Sequence, residues 1–121
     1  MSWTVVFHEE FEPEFEELPE QVQDELVARL KLLENFGPAL GRPHVDTLEG
    51  SSFPNMKELR FRLEGLWRFA FAFDPRRQAI ILVGGNKIGK NQNRFYRQLI
   101  KVANSRFAVH IASLKQGKPQ E

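Results

Sequence analysis

A chain of 121 residues, 41% hydrophobic and 27% charged, suits one domain (1–121) built on a single core, and the lack of cysteine excludes disulfides and thiolate metal sites. No apolar run nears the ~20 residues of a membrane span, and the start MSWTVVFHEEFEPEFEE lacks a signal peptide's basic and long apolar regions, so a cytoplasmic protein with no membrane partner is expected. Net charge is +1, but residues 1–54 hold three basic and twelve acidic residues, net −9, whereas 55–121 hold fourteen and four, net +10. That asymmetry predicts a basic surface for a polyanion on the second half; the competing reading is mutual neutralisation across the fold.

Trp3–Phe7 is rich in β-formers and reads as a short strand. FEPEFEELPEQ, with two prolines, reads as a connection holding about one helical turn. Pro19 then opens a helix over PEQVQDELVARLKLLENF, where Val22, Leu26, Leu30 and Leu33 form one apolar stripe and Gly37 supplies the stop. Residues 38–54 are turn-rich, with room for one short helix. From Met56 to Val83 the hydrophobic period changes to two. Leu59, Phe61 and Leu63 share one face, as do Trp67, Phe69, Phe71 and Phe73, and AIILV (79–83) is a continuous buried run. These three segments, separated by LEG and PRRQ, form an antiparallel meander. A long amphipathic helix follows through NRFYRQLIKVANSRFAVHIASLKQG. Its apolar residues Phe95, Leu99, Val102, Phe107, Ile111 and Leu114 fall on or near one stripe, Gly117 is expected to end the helix, and the tail QGKPQE is expected to be frayed. The order β-α-(α)-β-β-β-α describes an α+β fold: a small, mainly antiparallel sheet with the N-terminal helix or helices on one face and a C-terminal helix.

The first hairpin can be read to its register. A two-residue turn at Glu64-Gly65 would set Phe61 against Arg68, an aromatic against a charge. A three-residue loop, Leu63-Glu64-Gly65, with Gly65 left-handed, sets Phe61 against Trp67, Leu59 against Phe69 and Arg60 against Arg68. The second pairing keeps the aromatics together. It also places two arginines side by side on the face away from the core, beside Ala70 and Ala72. Like charges opposite one another destabilise a sheet, so the pair is read as an anion site on an open face, where replacing Arg68 costs little stability. A solvated face with Glu58 as counter-charge is the plainer alternative.

Residues 84–91, GGNKIGKN, imitate a P-loop, but Asn91 stands where magnesium needs a hydroxyl, and a meander rather than a parallel sheet precedes the motif. The stretch is read instead as a basic, amide-rich turn into a helix, with Lys87, Lys90 and Arg94 near a phosphate backbone and no nucleotide cofactor. His8, His44 and His110 are scattered with no ligand spacing, so no metal site is expected, and His110 is read as a helix-surface histidine. Trp3 and Trp67 are read as core residues rather than base-stacking platforms.

Along KELRF (57–61), LWRFAFAFD (66–74) and IILVGGNKIGKNQNRFYRQLI (80–100), the chain resembles the RelE superfamily of bacterial toxins, in the HigB-like branch related to a phage-derived, Gp49-like family. The resemblance covers essentially the whole chain. It implies the toxin of a toxin–antitoxin pair, a ribosome-dependent endoribonuclease that cuts messenger RNA by 2′-hydroxyl attack. Such a toxin needs no metal or cofactor and is held inactive by a helix-turn-helix antitoxin. By position, Arg68 is implied at the scissile phosphate, with Arg60 and Tyr96 nearby. Lys57 and Tyr96 are the candidate acid and base, although both titrate near ~10 unless perturbed. Arg62, Lys87, Lys90, Arg94 and Arg97 are candidate RNA-binding residues. Two other readings stay open. One is a toxin of the same fold that poisons DNA gyrase without cleaving anything; the other is a non-catalytic nucleic-acid-binding module.

Overall fold

A computed structural model describes residues 2–116. Strand β1 (Thr4–Phe7) is followed by a short helix α1 (Phe11–Glu16) and by α2 (Glu20–Phe36). A 3-10 turn at Gly37–Ala39 leads to β2 (Val45–Thr47), then β3 (Met56–Arg62), β4 (Leu66–Phe73), β5 (Gln78–Asn86) and α3 (Gln92–Lys115). The five strands form one sheet in the order β1-β5-β4-β3-β2. All pairs are antiparallel except β1 with β5. The expected element order holds, with one addition. Strand β2 falls in the stretch expected to be loop, because three residues carry no alternation of their own; only pairing with β3 (Val45 opposite Leu59) makes them a strand. Gly117 and the tail beyond it lie outside the described residues.

The predicted hairpin register is the one observed: Leu59 pairs with Phe69, Arg60 with Arg68 and Phe61 with Trp67. The turn differs in detail. Glu64, not Gly65, takes the left-handed conformation, with φ 49°. Gly65 is needed for room, since a Cβ there would lie 2.6 Å from the Asn86 amide.

Period-two patterning in β3 and β4 sends alternate side chains to two separate cores. On one face, α1 and α2 cover Leu59, Phe61, Trp67, Phe69 and Phe71 with Phe11, Val22, Leu26, Leu30 and Leu33. On the other, α3 covers Met56, Ala70, Ala72, Ile80 and Leu82 with Leu99, Ala103 and Phe107. Strand β5 runs past Val83, where the sequence suggested a turn, through Gly84-Gly85-Asn86. A bulge opposite Ala70/Phe71 inserts Leu82, so that both Leu82 and Val83 join the α3 core. Gly84 then lies under Phe69, and a Cβ there would collide with the Phe69 ring. Of the glycines that suggested a phosphate loop, Gly84 therefore serves packing, whereas Gly89 takes φ 71° in the turn before α3 with open space around it.

Candidate nucleic-acid interface and cleavage site

The second sheet face presents Glu58 and Arg60 from β3 and Arg68 from β4, two residues apart along the chain or directly opposite across the pair. The first turns of α3 pack over them. Asn91 caps this helix, its side-chain oxygen accepting from the Arg94 amide at 2.9 Å, which fixes where Tyr96 falls one turn later. The Tyr96 hydroxyl donates to Glu58 Oε1 at 2.8 Å and accepts from Arg68 Nε at 3.1 Å. Arg68 Nε is 3.7 Å from the same carboxylate oxygen, and its Nη1 donates to the Trp67 carbonyl at 2.9 Å. The face is not open, as the sequence suggested. Arg68 is 6% exposed and Glu58 7%. The small residues Ala70 and Ala72, expected beside a bare surface, are the floor on which α3 sits. Glu58 does act as counter-charge, but to a buried arginine.

Charge around this chain of contacts is cationic. Burial and the neighbouring guanidiniums of Arg68 and Arg60 lower the Lys87 ammonium below its ordinary value, with Glu58 opposing them. Lys87 Nζ also lies 5.4 Å from the Tyr96 ring centre. Arg60 Nη1 reaches Asp46 Oδ2 at 3.3 Å, a carboxylate that Arg42 shares at 2.9 Å. Burial, then the bond to Glu58, raise the Tyr96 phenol above its ordinary value, so it holds its proton more firmly. The shift runs opposite to what a neutral-pH acid or base needs; Tyr96 is suited to donating a hydrogen bond.

Arg68 opens onto a groove of about 420 Å³ at the hairpin end of the sheet, lined also by Arg29, His44, Arg60 and Arg62. Four arginines line this one groove. A second groove, of about 560 Å³, lies between β5 and α3, with Phe95, Leu99 and Val102 along it and Lys90 and Arg94 beside them.

The sequence profile of the family described as Phage derived protein Gp49-like matches residues 13–108. The chain belongs to the Gp49-like family. It is 45% identical over 105 residues to the Mycobacterium tuberculosis protein named as toxin HigB2, a match covering 85% of this chain and 52% of that protein. To the protein named as toxin HigB3 of the same organism it is 50% identical over 84 residues, covering 69% and 72%. The chain thus spans about half the length of HigB2. Its fold is that of RelE. A mutant of E. coli toxin RelE in the free state superposes with TM-score 0.61 at 17% identity, covering 84% of this chain and 97% of that one. A chain of the Pyrococcus horikoshii RelE–RelB complex superposes with TM-score 0.54 at 20% identity, covering 74% and 99%.

In this Gp49-like protein the sequence-predicted residues divide by position. Arg68, Arg60, Tyr96 and Lys87 come together, and Arg62 joins them through the groove. Lys57 does not, because β3 alternation sends it with Leu59 and Phe61 to the other face, where its Nζ lies 3.4 Å from the Thr47 hydroxyl. Lys90 and Arg94 line the β5–α3 groove, and Arg97 is exposed further along α3. His110 is not a plain surface residue: its Nε2 is 2.8 Å from Asp74 Oδ2. Sequence reasoning missed Glu58, Arg29 and His44 as site residues. Glu58 carried a signal, lying on the Arg60 face two residues before it. Arg29 and His44 carried none, since they meet the groove only through packing.

Proposed function

We propose that this protein is the toxin of a toxin–antitoxin pair and acts as a ribosome-dependent messenger-RNA endoribonuclease with no metal requirement. The observation that carries the reading is the Glu58–Tyr96–Arg68 chain, flanked by Arg60 and Lys87 and opening onto an arginine-lined groove. Cleavage by the RNA's own 2′-hydroxyl needs a proton acceptor, charge on the phosphate and a donor for the departing 5′-oxygen. Arg68 has two N–H groups committed inside the protein, leaving three of a guanidinium's five for phosphate oxygens, and its planar fork suits them. Glu58 is the proton acceptor of the cluster, Tyr96 gives its single O–H to Glu58 and so holds that carboxylate beside Arg68, and the departing 5′-oxygen takes its proton from water. Arg60 and Lys87 offset the charge that gathers on phosphorus oxygens, and Arg62 holds the strand. Lys90 and Arg94, beside the β5–α3 groove, and the exposed Arg97 on α3 extend the basic surface. Lys57, on the far face, has no part in the step.

An antitoxin partner is in keeping with the names of the relatives and with the RelE–RelB complex as a structural neighbour. A helix-turn-helix protein fits the HigB-like branch. The test is induction in a bacterial host with primer extension on an abundant messenger RNA, beside purified protein with and without ribosomes. New 5′ ends inside translated regions, lost in Lys87→Ala, support the reading. Growth arrest with intact messenger RNA and trapped gyrase–DNA complexes would replace it with the gyrase reading.

A further inference from the structure

The groove at the hairpin end contains groups that the cleavage chemistry leaves unused: Arg29 on α2, His44 in the loop before β2, and Arg62 at the end of β3. Arg29 Nη1 lies 3.0 Å from His44 Nδ1. A guanidinium nitrogen only donates, so Nδ1 is the acceptor, and the ring's own proton sits on Nε2. Arg29 is held for this task by Glu25, whose Oε2 is 2.8 Å from its Nε, and by the Phe61 ring 5.2 Å beneath it. His44 is held by its backbone, which donates to the Gly41 carbonyl at 3.0 Å and accepts from the Arg60 amide at 2.9 Å. Its Nε2–H has no protein partner among the described residues. Arg62 is exposed and makes no ion pair among them either. Of the other charges facing the ring, Arg60 is tied to Asp46 and Arg68 to Glu58.

We propose that Arg29, His44 and Arg62 form a phosphate subsite for the nucleotide next to the one cleaved, in which His44 is a neutral hydrogen-bond donor and transfers no proton. The inference rests on the endoribonuclease reading and assigns it a strand path. With the Arg29 N–H on Nδ1, the hydrogen bond left for the ring to give is the one from Nε2–H. Carboxylate-free lining on the open side of the groove, with one unpaired arginine and one fixed N–H, matches a phosphodiester better than a neutral ligand.

Two measurements separate this subsite from the reading it rests on. Equilibrium binding of a short, uncleavable 2′-deoxy-substituted RNA at low salt tests the subsite alone. His44→Ala and Arg62→Ala are each expected to weaken it roughly tenfold, with circular dichroism confirming the fold. Ribosome-dependent cleavage then tests the role. His44→Ala is expected to raise KM with kcat little changed, and His44→Gln, which keeps an N–H donor but cannot shuttle a proton, to restore most of the loss with the same pH–rate profile. Unchanged RNA affinity in both alanine variants overturns the subsite. A His44→Gln enzyme as slow in kcat as His44→Ala, with one limb of the pH profile gone, overturns the neutral-donor role. A wild-type protein that binds the RNA as described but cuts nothing sinks the endoribonuclease reading and leaves the subsite standing.

Discussion

Arg68 is both the centre of the proposed chemistry and a structural ion, and the two roles compete in any mutation. Its partners are Glu58 on β3 and Tyr96, which α3 lays over them. Arg68→Ala leaves buried Glu58 without its ion-pair partner, a change that typically costs about 3 kcal/mol or more. Urea unfolding should show that loss, contrary to the small effect a surface arginine would give. Tyr96→Phe is the finer probe. It removes one hydroxyl that links Arg68 to Glu58 and should cost about 1–2 kcal/mol while lowering cleavage. It also changes the alkaline limb. Because the folded-state phenol is raised, its stabilising contribution is complete below the ordinary tyrosine value and is lost as pH climbs through the raised one. Wild type should therefore lose stability above about pH 10 more steeply than Tyr96→Phe; parallel melting curves from pH 8 to 11 would refute the placement of that proton.

Helix α3 is pinned at its far half as firmly as at its site end. Arg106 donates to the Leu82 carbonyl at 2.7 Å and reaches Glu14 with both terminal nitrogens, at 2.9 and 2.5 Å. It satisfies a β5 carbonyl beyond the point where β1 pairing stops at Ile81. One turn on, His110 meets Asp74, whose side chain is fully buried and also accepts from the Arg76 and Gln78 amides and the Gln78 side chain. Burial pushes the Asp74 carboxyl up, but these four donors outweigh it and hold the group below its ordinary value. A depressed carboxylate stabilises the fold above its unfolded value near ~3.9 and loses that contribution as pH falls through the folded one. Asp74→Ala should cost about 3 kcal/mol at neutral pH, since it strands several donors in one step. The gap from wild type should narrow below pH 4; an undiminished gap at pH 3 would contradict the assignment. A helix tied down at both halves makes displacement of α3 the costlier route for the proposed antitoxin.

At the scale of the molecule, the opposite charges of the two halves of the chain mostly do not meet. Among the described residues, only Arg60 and Arg106 of the second-half cations pair with first-half carboxylates. Arg62, Lys87, Lys90, Arg94 and Arg97 make no ion pair there, so mutual neutralisation accounts for little of the asymmetry. Association with RNA should weaken steeply with salt as phosphate counterions are released. Arg62→Ala, at the arginine groove, and Lys87→Ala, beside Tyr96 and Arg68, should each flatten the logarithmic salt slope by about one unit. Lys90→Ala and Arg94→Ala, beside the more apolar β5–α3 groove, should change it less. Titrating binding against salt for the four variants decides this, and equal effects would mean that the RNA path crosses both grooves.

Local pattern was enough for much of the fold. The α2 stripe, the three-strand meander and the β3–β4 register follow from periods of 3.6 and two, because burial penalises any slip that turns aromatics outward. The same parity put Arg60 and Arg68 side by side, and Asn91 in place of a magnesium-binding hydroxyl was argument enough against a P-loop. What the chain could not disclose locally were contacts between distant segments. The parallel pairing of β1 with β5, the three-residue β2, and the seating of α3 over Ala70 and Ala72 all depend on closing long loops, which leaves no periodicity behind. That seating turned a supposedly open arginine pair into a buried ion pair with Glu58. Docking of α2 brought Arg29 and His44, fifteen residues apart in the chain, to one groove, whereas the place of Lys57 on the face opposite Arg60 was already written in the β3 alternation and was overlooked. Side-chain alternation is a local property that a sequence carries in full, whereas which surface each face meets is settled only when the helices dock.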